Sequence, residues 1–62
     1  MKTIEYRVVY AEGADEIVTV RARSINSGIR KAIARVLAEI PPGRRGQIGY
    51  EINRVEFWQV TS

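Results

Sequence analysis

The sequence contains neither cysteine nor histidine. Without cysteine, the chain can form no disulfide and no thiolate metal site. Without histidine, it lacks the side chain most often used as an acid, a base or a metal ligand near neutral pH. Its carboxylates are scattered and show no calcium-loop spacing, so we expect no bound metal and no cofactor.

The remaining polar side chains do not assemble into catalytic groups. The only aspartate, Asp15, lies in a predicted turn, and Ser24 and Ser27 fit the start of a helix. No nucleophile has a base at a useful spacing, and so small a chain has little room for an enclosed pocket. We therefore predict that the protein is not an enzyme.

Long hydrophobic runs are also missing. No stretch approaches the roughly 20 apolar residues that a membrane span needs, and residues 1–5 lack the apolar core of a signal peptide. Of the 62 residues, 45% are apolar and 27% are charged, which is typical of a folded globular chain. We expect a single soluble domain over residues 1–62, cytoplasmic and without a membrane partner.

The first half of the chain predicts a β-hairpin. Strands at about 3–11 and 16–23 alternate apolar and polar residues, and turn residues that include Gly13 lie between them. A loop of odd length lets the two apolar faces coincide, because a one-residue slip would send one set to solvent. The expected cross-strand pairs are Val8 with Val18, Tyr6 with Val20 and Ile4 with Ala22.

A helix is predicted at about 25–40, with Ser24 as its N-cap. Its apolar residues recur at helical spacing, and Gly28 allows a close approach to a sheet. Pro41 and Pro42 end the helix because neither can donate a helical hydrogen bond. The apolar face is expected to contain Ile25, Ile29, Ala32, Ile33, Val36, Leu37 and Ile40.

The segment at about 50–61 predicts a third strand, which follows a loop at 41–49. Its apolar residues break strict alternation, and a bulge near Asn53 and Arg54 would bring them to one face. The expected fold is α+β: a two-layer ββαβ domain with a three-stranded antiparallel sheet in order 2-1-3 and one helix on one face. The side chains of this strand expected to face the helix are Tyr50, Ile52, Val55 and Phe57.

Such a fold leaves one face of the sheet uncovered, which we call the open face. It is expected to combine large, contiguous apolar side chains with arginines, an unusual composition for a solvent face. Trp58 is predicted to point outward, since an inward position would bring Arg54 and Glu56 toward the core. The expected members are Arg7, Val9, Ile17, Thr19, Arg21, Arg23, Arg54, Glu56, Trp58 and Val60.

The charge balance favours an anionic partner. Ten lysines and arginines against seven acids give a net charge of +3, and eight of the ten are arginine, the side chain best suited to phosphate and to aromatic stacking. We predict a basic module that binds nucleic acid, either DNA or RNA, through Trp58 and arginines of the open face and the 41–49 loop. The predicted contact residues are Arg7, Arg21, Arg23, Arg44, Arg45, Arg54 and Trp58.

A protein partner is the alternative for the open face. Exposed apolar side chains at Val9, Ile17 and Trp58 would suit a protein–protein interaction module, such as a small regulator or inhibitor of bacterial or phage type. A homodimer with its open faces packed together is a further expectation, since a domain of ~60 residues without disulfides is marginally stable.

The predicted helix carries a further group of cations, Arg30, Lys31 and Arg35. A solvated helix face accounts for these side chains without a partner. They would join the binding surface only if the fold brought them close to Arg44 and Arg45.

Overall fold

The computed structural model of the chain describes residues 1–44 and 51–61. The sheet is antiparallel with strand order β2-β1-β3, and the helix packs on one of its faces. This arrangement confirms the predicted α+β, ββαβ fold and its strand order. The elements are β1 (Lys2–Tyr10), β2 (Glu16–Ala22), α1 (Ile25–Glu39), a 3-10 turn (Pro42–Arg44) and β3 (Ile52–Val60).

The element boundaries differ from the predicted ones by one or two residues. The helix begins as predicted, with a capping box in which Ser24 and Ser27 bond to each other's backbone amides. It ends one residue early, at Glu39. Part of the predicted loop forms the 3-10 turn, where Pro42 is tolerated at the first position because its missing N–H needs no partner there. Tyr50 lies outside the described residues.

The hairpin register differs from the prediction by two residues. Tyr6 pairs with Val18 and Ile4 with Val20, and the pair nearest the turn is Val8 with Glu16. The connection between paired residues is therefore longer than expected, because the predicted register places Tyr10 opposite Glu16. A shift by two keeps every side chain on its face, and apolar matching alone could not separate the two registers. Within this connection, Gly13 has a φ of +97°, a left-handed conformation that glycine adopts readily.

The core lies between α1 and the inner face of the sheet, with Tyr6 at its centre. The side chain of Tyr6 is fully buried, burial raises the pKa of its hydroxyl, and that hydroxyl donates a hydrogen bond to the carbonyl of Ile25. Gly28 makes this possible, because the helix backbone there lies directly against the Tyr6 ring. The other buried apolar residues are Ile4, Val8, Val18, Val20, Ala22, Ala32, Val36 and Ile40.

The helix packs along a narrower line than predicted. Its buried residues are Gly28, Ala32 and Val36, whereas Ile25 and Leu37 are 40% and 47% exposed. The prediction that these last two belong to the buried face is therefore wrong. The helix lies mainly over β2 and leaves the inner side of β3 only partly covered. Contact with a single sheet therefore cannot bury all the apolar residues of α1.

A bulge at Asn53 brings the apolar residues of β3 to the inner face, as predicted. Pairing with β1 passes over this residue, and Val55 then pairs with the buried Val8 and Phe57 with Tyr6. Phe57 nevertheless remains 45% exposed, because α1 does not extend fully over it.

A second bulge, at Trp58, was not predicted. The pairing passes over Trp58, and Gln59 lies opposite Glu5 while Val60 lies opposite Ile4. Ile4 belongs to the core, so Val60 is on the helix side of the sheet. Its predicted place on the open face is wrong, because the extra residue reverses the direction of the side chains that follow it.

Candidate binding surface

Trp58 lies on the open face, as predicted, with Arg7 beside it. Trp58 is 51% exposed, and the guanidinium carbon of Arg7 is 5.9 Å from the centroid of the Trp58 ring. This separation is within the ~6 Å range of a cation–π contact. The open face therefore presents a flat aromatic surface with a cation held against it.

Arg7 is held in position by an acid at the hairpin turn. Its Nε donates to Oδ2 of Asp15 at 2.8 Å, and its Nη2 donates to the same oxygen. The hydrogen bond to Asp15 and the charge of that carboxylate raise the pKa of Arg7, with a smaller contribution from Glu56. Because an arginine is charged in any case, the main consequence is positional: the pair fixes the guanidinium next to Trp58.

Other charged side chains on the open face of β1 and β3 also have partners. Arg54 donates from Nε to Oε1 of Glu56. Gln59 donates from Nε2 to Oε1 of Glu5 at 2.6 Å. The positive charge of Arg54, a predicted contact residue, is thus partly neutralised within the sheet.

Cations that are distant in the sequence lie close together along the outer edge of β2. Lys31 donates from Nζ to the carbonyl of Arg21 at 2.7 Å. Arg35 donates from Nη1 to the carbonyl of Thr19. We call the exposed cations Arg21, Arg23, Lys31 and Arg35 the basic edge; within residues 1–44 and 51–61, none of the four forms an ion pair.

Lys31 and Arg35 are candidate site residues that sequence reasoning missed. They were expected to matter only beside Arg44 and Arg45, yet the fold places them beside Arg21. Arg44 is exposed at the end of the 3-10 turn, and Arg45 lies outside the described residues. The sequence shows that Lys31 and Arg35 are four residues apart, but it does not show which side of the helix faces β2.

The expected contiguous apolar patch is interrupted. Ile17, on β2, is 47% exposed and pairs across the sheet with Arg7. Because β1 is the central strand, Arg7 separates Ile17 from Trp58 on β3. The two exposed apolar side chains are thus separate contact points on one face.

A shallow cleft of about 140 Å³ lies where Tyr10 and Glu16 approach the end of α1. It is smaller than the roughly 300–1,000 Å³ of most small-molecule sites. In the described part of the chain, no three potential metal ligands group together. None of the helical segments described there has the length and apolar composition to cross a bilayer.

Comparisons with protein-family models, with curated proteins and with solved structures give no match. Two features of the described surface are suited to binding, the Trp58–Arg7 pair and the basic edge. Both lie on or beside the open face of the same sheet.

Proposed function

We propose that the protein is a small, basic, non-enzymatic module that binds single-stranded nucleic acid across the open face. The observation that carries the proposal is the half-exposed indole of Trp58 with Arg7 against its ring. Bases of a single strand are free to stack on such a ring, whereas those of a duplex are not. Stacking of this kind accepts any base, so the proposal implies little sequence specificity.

The basic edge supplies the phosphate contacts. Arg21 lies on β2, the outer strand of the same sheet as Trp58, and Arg23 follows the end of this strand; both are exposed. The two outer strands are separated by about 10 Å, or two strand spacings, so one extended strand can reach both. Arg35 and Lys31 keep further N–H groups that are free to contact phosphate.

Trp58 is the only tryptophan of the chain and therefore reports directly on its own contacts. We expect single-stranded oligonucleotides to quench its fluorescence and a duplex of the same sequence to do so weakly. Anisotropy titrations at roughly 50 and 200 mM salt should show affinity falling steeply with salt. The absence of binding at the lower salt concentration would discard the proposal.

Variants separate stacking from charge. Trp58→Ala is expected to weaken binding about tenfold without changing its salt dependence, since stacking is worth about 1–3 kcal/mol per base. Arg21→Gln should reduce the slope of log affinity against log salt by about one. Arg30→Gln removes the same charge from an exposed position outside the basic edge and is the matched control. An equal loss in the control would mean that only net charge matters.

A protein partner is the second candidate, because Ile17 and Trp58 expose about half of their surface on the same face. Two separated apolar anchors are typical of a protein interface with a few dominant contacts. Such an interaction would weaken on Ile17→Ala as strongly as on Trp58→Ala and would depend less on salt. In the nucleic-acid model, Ile17→Ala has little effect.

A further inference from the structure

The two edges of the sheet differ in their hydrogen bonding. At the outer edge of β2, Lys31 and Arg35 cover the carbonyls of Arg21 and Thr19. Cations placed over an edge strand in this way hinder its pairing with another strand. Among the described residues, no side chain forms a corresponding hydrogen bond with the backbone of β3.

Two hydrogen bonds fix which residues of β1 turn their backbone toward β3. The amide of Ala11 donates to the carbonyl of Glu51, and the amide of Thr61 donates to the carbonyl of Thr3, both at 2.8 Å. Hydrogen-bonded and non-hydrogen-bonded pairs alternate along antiparallel strands. Every second residue of β1 from position 3 to position 11 therefore bonds to β3.

The same alternation fixes the backbone of β3. Arg7 with Glu56 and Val9 with Arg54 are hydrogen-bonded pairs by this count. Val55 lies between them, so its N–H and C=O point away from β1. These two groups are available on the outer edge of β3 for another strand.

The side chains along this edge are apolar on one face and alternately charged on the other. Val55 and Phe57 lie on the inner side, where Phe57 is 45% exposed. Arg54 and Glu56 lie on the open face and bond to each other. An exposed strand edge with a partly uncovered apolar side chain is a surface that favours strand pairing.

We propose that β3 pairs antiparallel with β3 of a second copy of the chain, around a twofold axis at Val55. Val55 and the partner's Val55 then form the central hydrogen-bonded pair. Arg54 lies opposite the partner's Glu56, and Glu56 lies opposite the partner's Arg54, in the close non-hydrogen-bonded positions. Phe57 lies diagonally across from the partner's Val55 and covers apolar surface on the inner side.

Charge selects this register from its neighbours. Other registers also let the outward N–H and C=O of Val55 bond to the partner strand. Each of them shifts the pairing by two residues, which moves the twofold axis along β3 by one residue. A step in either direction centres the axis on Arg54 or on Glu56 and places like charges directly opposite each other, which is destabilising. The register centred on Val55 instead joins the two Arg54–Glu56 pairs into one network of alternating sign.

The resulting dimer has a continuous six-stranded sheet with both helices on the same side. The open faces stay uncovered, in contrast to the face-to-face dimer expected from the sequence. The inference goes beyond the proposed function and does not depend on it, because neither Trp58 nor the basic edge takes part.

The first test is the mass in solution of the purified chain, free of nucleic acid, by light scattering and sedimentation. At micromolar concentrations we expect about twice the chain mass of 7.0 kDa. Val55→Pro removes the outward N–H without removing a bond to β1 and is expected to give a folded monomer. Val55→Thr keeps the N–H and the branched side chain, and it should remain a dimer.

The second test uses charge and does not depend on proline. Arg54→Glu and Glu56→Arg each place like charges across the axis, so each variant alone should dimerise at least tenfold more weakly. An equal mixture of the two should recover the dimer, because every cross-strand pair is then of opposite charge. Arg30→Glu, outside β3, is the control and should leave dimerisation unchanged.

Three results would overturn the inference. One is a wild-type monomer throughout the micromolar range. Another is a dimer that survives Val55→Pro and responds to neither charge variant. The third is a dimer that survives Val55→Pro but is lost in Trp58→Ala, which would indicate packing through the open faces.

Discussion

The contact between Gly28 and Tyr6 makes a substitution that usually strengthens a helix harmful here. A Cβ built at Gly28 would lie 2.9 Å from both Cε2 and Cζ of the Tyr6 ring and closer still to its hydroxyl oxygen. The ring is fully buried and bonded to the carbonyl of Ile25, so it cannot move without disturbing the core. We therefore expect Gly28→Ala to destabilise the protein.

The magnitude follows from three contributions. Alanine in place of glycine favours the helix by about 1 kcal/mol. Overpacking against the Tyr6 ring costs about 1–3 kcal/mol, and loss of the hydrogen bond to Ile25 costs about 1 kcal/mol more. The expected net loss in the free energy of unfolding is about 1–3 kcal/mol, or a melting temperature lower by roughly 4–8 °C per kcal/mol.

Urea and thermal unfolding of a small set of variants test this expectation. Ala34→Gly, at an exposed position of the same helix, measures the helix propensity alone and should cost about 1 kcal/mol. Tyr6→Phe removes the atom closest to the new methyl group, so the double variant should be more stable than the sum of the single effects predicts. A Gly28→Ala protein as stable as the wild type, or strictly additive effects, would show that the new methyl group does not clash with the Tyr6 ring.

Two further predictions concern the hairpin. Gly13→Ala places a side chain at a φ of +97° and should cost about 1–2 kcal/mol in thermal unfolding, whereas Gly43→Ala, which meets no atom within 4 Å and has no positive φ, should be neutral; equal effects would contradict the argument. Burial, and secondarily the hydrogen bond to Glu16, raise the pKa of Tyr10 to about 12, above the value of about 10 in the unfolded chain. The neutral phenol is thus favoured by folding, so its stabilisation is complete below about pH 10 and is lost as the pH rises toward about 12; Tyr10→Phe should flatten this part of the stability–pH curve in urea unfolding.

The fold could be predicted from the sequence because each element has an unambiguous local pattern. Period-two alternation defines β1 and β2, Ser24 and the prolines bound the helix, and the interrupted alternation after position 50 requires a bulge. The strand order follows as well, since the helix returns the chain antiparallel to β1. These features depend on residues close together in the chain.

The features that escaped prediction depend on contacts between distant residues. Matching of apolar faces leaves the register undetermined by two residues, and the observed pairs follow the longer connection that contains Gly13. The bulge at Trp58 reverses Val60. The apolar residues change from odd to even positions at Trp58, but this change alone does not distinguish a bulge from a strand with two apolar faces. The basic edge forms only because Lys31 and Arg35 reach the carbonyls of β2, which no spacing in the sequence reveals.

The central strand β1 pairs with β2 on one side and with β3 on the other, and this arrangement affects the exchange of its amide protons. A short turn links β1 to β2, whereas β3 follows the helix, and closing the longer loop costs roughly 2 kcal/mol more in chain entropy. In the monomer, α1 covers β3 less than it covers β2, so we expect β3 to detach more easily than β2. Alternate amides of β1 bond to different strands, so those of Arg7 and Val9 should exchange with solvent faster than those of Ile4 and Tyr6. A single strand would thus show fast and slow protons in strict alternation.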